Sequence, residues 1–326
     1  MSGGIQEQSG ALATTRTGES RWFTMQHRLA PYLFVAPFLL VFGLFGLWPI
    51  VKSLILSLYT TAGPRDEVFV GLSNFRFLAA DADFHTAVWN TAVFAFWAVL
   101  LQLPLALGLA LLLNQPWVKG RGGLRLAFFS PHLVGGVFVG VLFQVLFVPK
   151  YGLLNKLIYG VSSFAHWILP AIPAIPVDTK WLNNPALVMP ALVMTSLWMY
   201  VGFNMIYFLA ALQAVDRELY EAARVDGANP WRQFLAVTLP GIQPVAVFVL
   251  LTATIGSFQL FELPWLLLND SSGPNKAGLT IIMYLYQAGF QTGDLGYASA
   301  IGWTLAIGLL VISLVQMKVT GAWRSS

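Results

Sequence analysis

The stretch Asp216–Pro240, DRELYEAARVDGANPWRQFLAVTLP, is charged and compact, yet it stands between two long apolar blocks, Trp181–Val215 and Gln233–Phe261. Asp216, Glu218 and Glu221 load its first turns with acid and Arg224 sits near the end of the run. That arrangement complements a helix dipole and predicts a short amphipathic helix over 216–226. Gly227 can take the left-handed conformation that ends a helix. Asn229 is a good N-cap and Pro230 suits a first helical position, so a second helix starts at once. Leu239-Pro240 is expected to end it and turn the chain back. Helix, glycine turn and helix make a rigid knob, and the small side chains of Ala222 and Ala223 would let another protein's groove approach the backbone closely.

Working outward, the rest of the chain is apolar in blocks. Of its 326 residues 57% are hydrophobic and only 10% charged, with a mean hydropathy of +0.70, far from the charge content of a water-soluble domain. Six blocks reach the roughly 18 apolar residues needed to cross a bilayer: Leu33–Val51, Thr86–Val118, Leu126–Pro149, Trp181–Val215, Gln233–Phe261 and Leu295–Met317. Hydrocarbon cannot satisfy open backbone groups, so blocks of this length predict helices. The expected fold is an all-α membrane protein of six transmembrane helices, at about 31–57, 87–113, 126–148, 186–212, 243–267 and 296–318. A tail over 1–29, a loop over 213–242 and an end at 320–326 lie outside the membrane. The first block reads as a retained span, since no small-residue cleavage site follows Trp48-Pro49-Ile50.

Charge then sets the direction. With the N-terminus inside, the tail, the Lys119–Arg125 loop, the Arg217–Arg232 loop and the C-terminal end hold eleven of the 18 Lys and Arg, which predicts that both termini are cytoplasmic. On the outer side, Tyr151–Trp167 has apolar residues at helical spacing and predicts an amphipathic surface helix. Leu279–Tyr286 is apolar but too short to span, and is expected to pack beside the last helix. The cations lie at helix ends, where they anchor topology, so the net charge of +4 does not point to nucleic acid. There is no cysteine, and His27, His85, His132 and His166 lack metal-ligand spacing.

Polar and aromatic groups deep in spans tend to face a cavity. The fourth span offers Trp198, Tyr200, Phe203, Asn204 and Tyr207; the fifth offers Thr252, Thr254, Ser257, Gln259 and Glu262. Counted at about 1.5 Å per residue from Pro244, Glu262 falls near the outer surface, as a solvated end. The scarcity of buried cations argues against a multiply charged anion as ligand. An ion-coupled secondary transporter would show buried ionisable residues in several spans and inverted repeats, and neither is evident. A membrane enzyme would need clustered His, Asp or Glu. A non-catalytic assembly subunit is the reading these residues exclude least.

The spacing Glu221-Ala222-Ala223, Gly227, Val237, Leu239-Pro240 resembles the EAA loop of the inner-membrane subunits of binding-protein-dependent ABC importers, with Val237 where that family has Ile. The resemblance runs from about Pro31 to Met317. Leu219–Ala223, Val225–Ala228 and Gly296–Ala300 look like the carbohydrate group, which includes maltose-, lactose- and glycerol-phosphate-type permeases; the long outer loop before Trp181 looks like the first of two permeases. It implies a type I importer permease fold in a bacterial inner membrane, with Glu221, Ala222, Ala223, Arg224, Asp226 and Gly227 as a cytoplasmic coupling helix. The implied partners are a second permease, an ATPase dimer, an extracytoplasmic binding protein and a sugar, oligosaccharide or polyol. The chain has no G-x-x-x-x-G-K-[ST] loop, so no cofactor is expected on it and ATP and Mg would sit on the ATPase. In related permeases substrate lies between the fourth and fifth spans, which favours Tyr200, Phe203, Asn204, Ser257 and Leu260 within the path Trp198, Tyr200, Phe203, Asn204, Tyr207, Ser257, Gln259, Leu260 and Glu262.

Overall fold

The computed structural model describes residues 21–61, 63, 67–171 and 173–321, with side chains from residue 30 onward. Two compact units divide at Ser53 and Leu54. The first is a helical rod: α1 (Arg21–Phe42) passes through a π turn at Gly43–Leu47 into α2 (Trp48–Leu56). The 27 residues Ala30–Leu56 are long and apolar enough to span, and Phe34 and Phe45 are exposed, as on a face toward lipid.

The second unit carries near its start a small antiparallel ribbon, β1 (Tyr59–Thr61) paired with β2 (Glu67–Phe69), between the first two expected spans. Thr61 ties this ribbon to the far end of the chain. Its Oγ1 accepts from the Leu295 N–H at 2.7 Å and its own N–H donates to Asp294 Oδ1 at 3.2 Å. Next come α3 (Ser73–Ala80) and the spans α4 (Ala82–Asn114), α8 (Pro185–Ala214) and α14 (Leu295–Val319), close to the second, fourth and sixth expected ranges. The amphipathic α7 (Leu153–Ile168) lies where helical spacing put one.

Two spans differ from expectation. The third, expected as one helix over 126–148, is α5 (Arg121–Leu133) and α6 (Gly136–Leu146), meeting at 98°. Pro131 sits in the last turn of α5, and Gly135 has φ 78°, ψ 147°, which sends the chain off in a new direction. The fifth, expected over 243–267, starts earlier and stops sooner. After α9 (Arg217–Val225), α10 (Pro230–Gln233) runs through a π turn, Phe234–Thr238, into α11 (Leu239–Phe258), giving one span over Pro230–Phe258. Leu239-Pro240 therefore does not end the second helix of the knob. The wider π turn absorbs the bond that Pro240 cannot make, and the Leu239 N–H donates to Phe234 O instead.

At the other end, Pro264 cannot donate to Leu260 O, so the helix breaks and restarts as α12 (Glu262–Leu267). The orphaned Leu260 carbonyl accepts from Thr280 Oγ1 at 2.7 Å. Thr280 also caps α13 (Ile281–Tyr286), which continues through a π turn at Gln287–Gln291 and packs against α14.

Three apolar clusters hold the unit. α4 and α8 form the most extensive helix pair. Near the 114 end of α4, Ala106, Ala110 and Leu113 meet Met205, Phe208 and Leu212 of α8 and Ile242 and Val249 of α11; small residues let the helices approach closely. A second cluster, Phe94, Val139, Phe143, Leu192, Leu263 and Leu267, joins α4, α6, α8 and α12. The third, including Phe84, Ile281, Met283, Tyr297 and Ile301, joins α4, α13 and α14.

Candidate functional site

The knob is built from local bonds. Asp216 caps α9 by accepting from the Glu218 N–H at 3.1 Å. Gly227, at φ 76°, donates to Arg224 O at 3.0 Å, and the Ala228 N–H donates to Ala223 O at 2.8 Å, the paired bonds of a Schellman turn. Asn229 Oδ1 then accepts from the Arg232 N–H at 2.8 Å and Pro230 begins α10. Tyr220 Oη and Thr238 Oγ1, 3.0 Å apart, lock α9 onto the π turn. Glu221, Ala222, Arg224, Asp226 and Gly227 are exposed and Ala223 is half-buried. A hollow of about 840 Å³ beside α9 carries Arg121, Arg217 and Arg224 on its wall.

A second site lies between α4, α8, α11 and α12. Its cavity of about 460 Å³ falls in the range of small-molecule pockets. Tyr200, Phe203 and Asn204 line it from α8, together with Ser196 and Met199, at positions i, i+3, i+4, i+7 and i+8 of one face. Thr252, Gly256 and Ser257 face them from α11, and Gln259, Leu260, Phe261 and Glu262 close it at the helix break. Asn204 is only 4% exposed and its Nδ2 has no hydrogen-bond partner, so a buried donor is left for a ligand. Phe203 stacks on His132 with ring centroids 4.1 Å apart, which fixes the ring from the bend of the third span.

Seven of the nine residues read from sequence as a substrate path line this cavity; Trp198 and Tyr207 do not. Trp198 is off the lining face and packs edge-on against Phe143 at 5.4 Å. Tyr207 lies one turn beyond Phe203, where Phe248, 5.7 Å away, fills the space. Thr254 is also turned away, accepting from Gln316 Nε2 at 2.9 Å. Glu262 is exposed as expected, but not as the tip of a straight helix: the break at 259–261 brings it to the cavity wall. Sequence reasoning missed Phe94, Gln102, Ser196 and Gly136. Gln102 had a usable signal, being the one amide between Asn90 and Asn114 in the middle of a charge-free block, and it is only 4% exposed.

Over this architecture, residues 121–319 match the model of the family described as binding-protein-dependent transport system inner membrane component. The chain belongs to that family. This permease is 40% identical, over 91% of its length and 90% of the relative's, to an arabinooligosaccharides transport system permease protein of Bacillus subtilis. It is 32% identical, over 93% and 96%, to the lactose transport system permease protein of Rhizobium radiobacter. Its fold matches a chain of a bacterial ABC transporter involved in the import of the acidic polysaccharide alginate, with a TM-score of 0.74, 25% identity and coverage of 93% and 99%. The permease is thus a multi-pass membrane subunit of the ABC importer class, of the carbohydrate group.

At the Asp81 end of α4, a polar cluster fastens the permease's helix ends. Asp81, the N-cap of α4, accepts from Tyr284 Oη and from Tyr297 Oη, the latter at 2.6 Å, drawing α4, α13 and α14 together. Burial pushes the Asp81 carboxyl up, but those two hydrogen bonds and the Asp83 and Phe84 N–H groups outweigh it and hold the carboxyl below its ordinary value. Burial and the bond to Asp81 push the Tyr284 hydroxyl up to about 12.

Proposed function

We propose that the chain is one of the two permeases of a bacterial ATP-driven importer and that, with the second permease, it forms the path for a sugar, oligosaccharide or related polyol. One observation carries this. The second helix of the exposed knob and the α11 wall of the cavity are a single 29-residue span, Pro230–Phe258, while α8, the opposite wall, runs into α9 through Val215 and Asp216 alone. A push on the knob therefore tilts both walls of the cavity as levers. Phe203 and Tyr200 offer rings for the apolar faces of a sugar, and Asn204, Gln102, Ser257 and Gln259 offer groups for its hydroxyls.

The push comes from an ATPase dimer that receives Glu221–Gly227 in a surface groove, ATP and Mg staying on that partner. An extracytoplasmic binding protein delivers the sugar to the outer face. The membrane is the bacterial inner membrane and both termini are cytoplasmic. The names of the relatives, arabinooligosaccharides and lactose systems among them, support the ligand class.

The test is reconstitution with the ATPase, second permease and binding protein, followed by sugar-stimulated ATP hydrolysis and uptake. Gly227→Pro or Glu221→Lys should abolish both. Uptake that survives these changes refutes the knob as coupling element. Because the chain has no native cysteine, Ala222→Cys gives a clean label. It should react from the cytosolic side, and reaction only from outside would invert the topology.

A further inference from the structure

We infer that the cavity discriminates against anionic saccharides, and that the Glu262 carboxylate is the group responsible. The inference rests on the reading of the cavity as a saccharide site and adds the charge class of the ligand. Among the described residues Glu262 is the one carboxylate on the wall, and no Lys or Arg lines the cavity. Among the described residues no cation forms an ion pair with Glu262. The remaining polar lining is neutral, with Asn204, Gln102, Ser257 and Gln259 suited to hydroxyls.

The position of the charge is specific. A Cβ placed on Gly136 would lie 2.6 Å from Glu262 Oε2, so the carboxylate rests directly on the first residue of α6, an eleven-residue helix. On the cavity side nothing compensates it. A uronate or phosphate group entering this space would meet a like charge on the cavity wall, while a neutral hydroxyl would meet a strong acceptor. The family does not settle the matter, since a chain of similar fold serves an acidic polysaccharide. The Gly135–Gly136 bend and the Pro264 break, neither visible as such in the sequence pattern, bring Glu262 and α6 together.

The experiment uses the complete transporter, both permeases with the ATPase, in lipid nanodiscs without binding protein. Binding is measured for a panel of neutral di- and trisaccharides and for the uronates made from them by oxidising a primary hydroxyl. The tightest neutral sugar should bind at least about tenfold better than its uronate. Glu262→Gln should narrow that ratio severalfold, and Gly136→Ala, whose Cβ displaces the carboxylate without removing it, should narrow it in the same direction. A wild-type complex that binds the uronate equally well or better overturns the inference, as does a ratio left unchanged by Glu262→Gln in a variant that still assembles. A complex that binds neither sugar form overturns the saccharide reading itself, an outcome distinct from uronate preference.

Discussion

The knob at 216–230 and the cavity between α4, α8, α11 and α12 are built on opposite principles. Each bond that shapes the knob joins residues close in the chain: Asp216 to Glu218, Ala228 to Ala223, Asn229 to Arg232, and, at the longest reach, Tyr220 to Thr238. The cavity joins residues from Phe94 to Leu263, and its shape depends on a helix bend and a helix break that supply part of its wall. Under the proposed function, a part that hands force to a separate protein can be stiff by itself, and a part that opens on alternate sides is shared among elements that move.

The comparison makes substitutions at two glycines diverge, and the largest effect belongs to the cavity side. A Cβ at Gly202 would lie 1.7 Å from Phe128 O, backbone against backbone where α8 meets α5, so Gly202→Ala should cost about 3 kcal/mol or more. Thermal unfolding in detergent and the yield of assembled complex measure it, and sugar binding and ATPase coupling should fail together. Gly227 has open space around it but a left-handed φ of 76°. Gly227→Ala should cost about 1–2 kcal/mol, felt within the knob. Sugar binding should persist while sugar-stimulated ATP hydrolysis falls. If both activities fell in parallel there as well, the knob would not be the independent part described above.

A smaller change sharpens the same point. Asn229→Ala removes the cap of α10 and should cost about 1 kcal/mol, with a partial loss of stimulated ATPase and no change in sugar affinity. The smallest effect tests the polar cluster at the ends of α4, α13 and α14. The Tyr284 hydroxyl is held up at about 12, so its stabilising contribution is complete below about pH 10 and disappears as pH rises through that higher value. The gap in melting temperature between wild type and Tyr284→Phe should shrink across that window. Asp81 has the opposite sign: its carboxyl lies below the ordinary value, so its contribution is present above about pH 4 and lost as pH falls through the lowered one. A melting-temperature gap between wild type and Asp81→Asn should close on acidification.

Much of the cavity lining was readable before the fold because helical faces repeat. Tyr200, Phe203 and Asn204 sit at i, i+3 and i+4, so a cavity that takes one takes the others. Trp198 and Tyr207 were drawn in by residue type alone, and their positions on the helix leave them off this cavity's wall. Gln102 and Gly136 escaped because what makes them part of the site is the approach of α4 and α6 to α8 and α12, which no local pattern encodes.

Apolar length and capping chemistry act over a few residues, and so the chain itself settled that helices cross a membrane, where the knob starts, and that Gly227 ends its first helix. Tertiary structure alone decided that the third span folds at 98°, that the fifth begins inside the knob and breaks before Glu262, and that this carboxylate comes to rest on Gly136. The physical reason is reach. A proline removes a donor wherever it stands, but whether the helix bends, widens into a π turn as before Pro240, or stops as before Pro264 depends on what is packed nearby. At Leu260 the answer came from Thr280, twenty residues further along the chain.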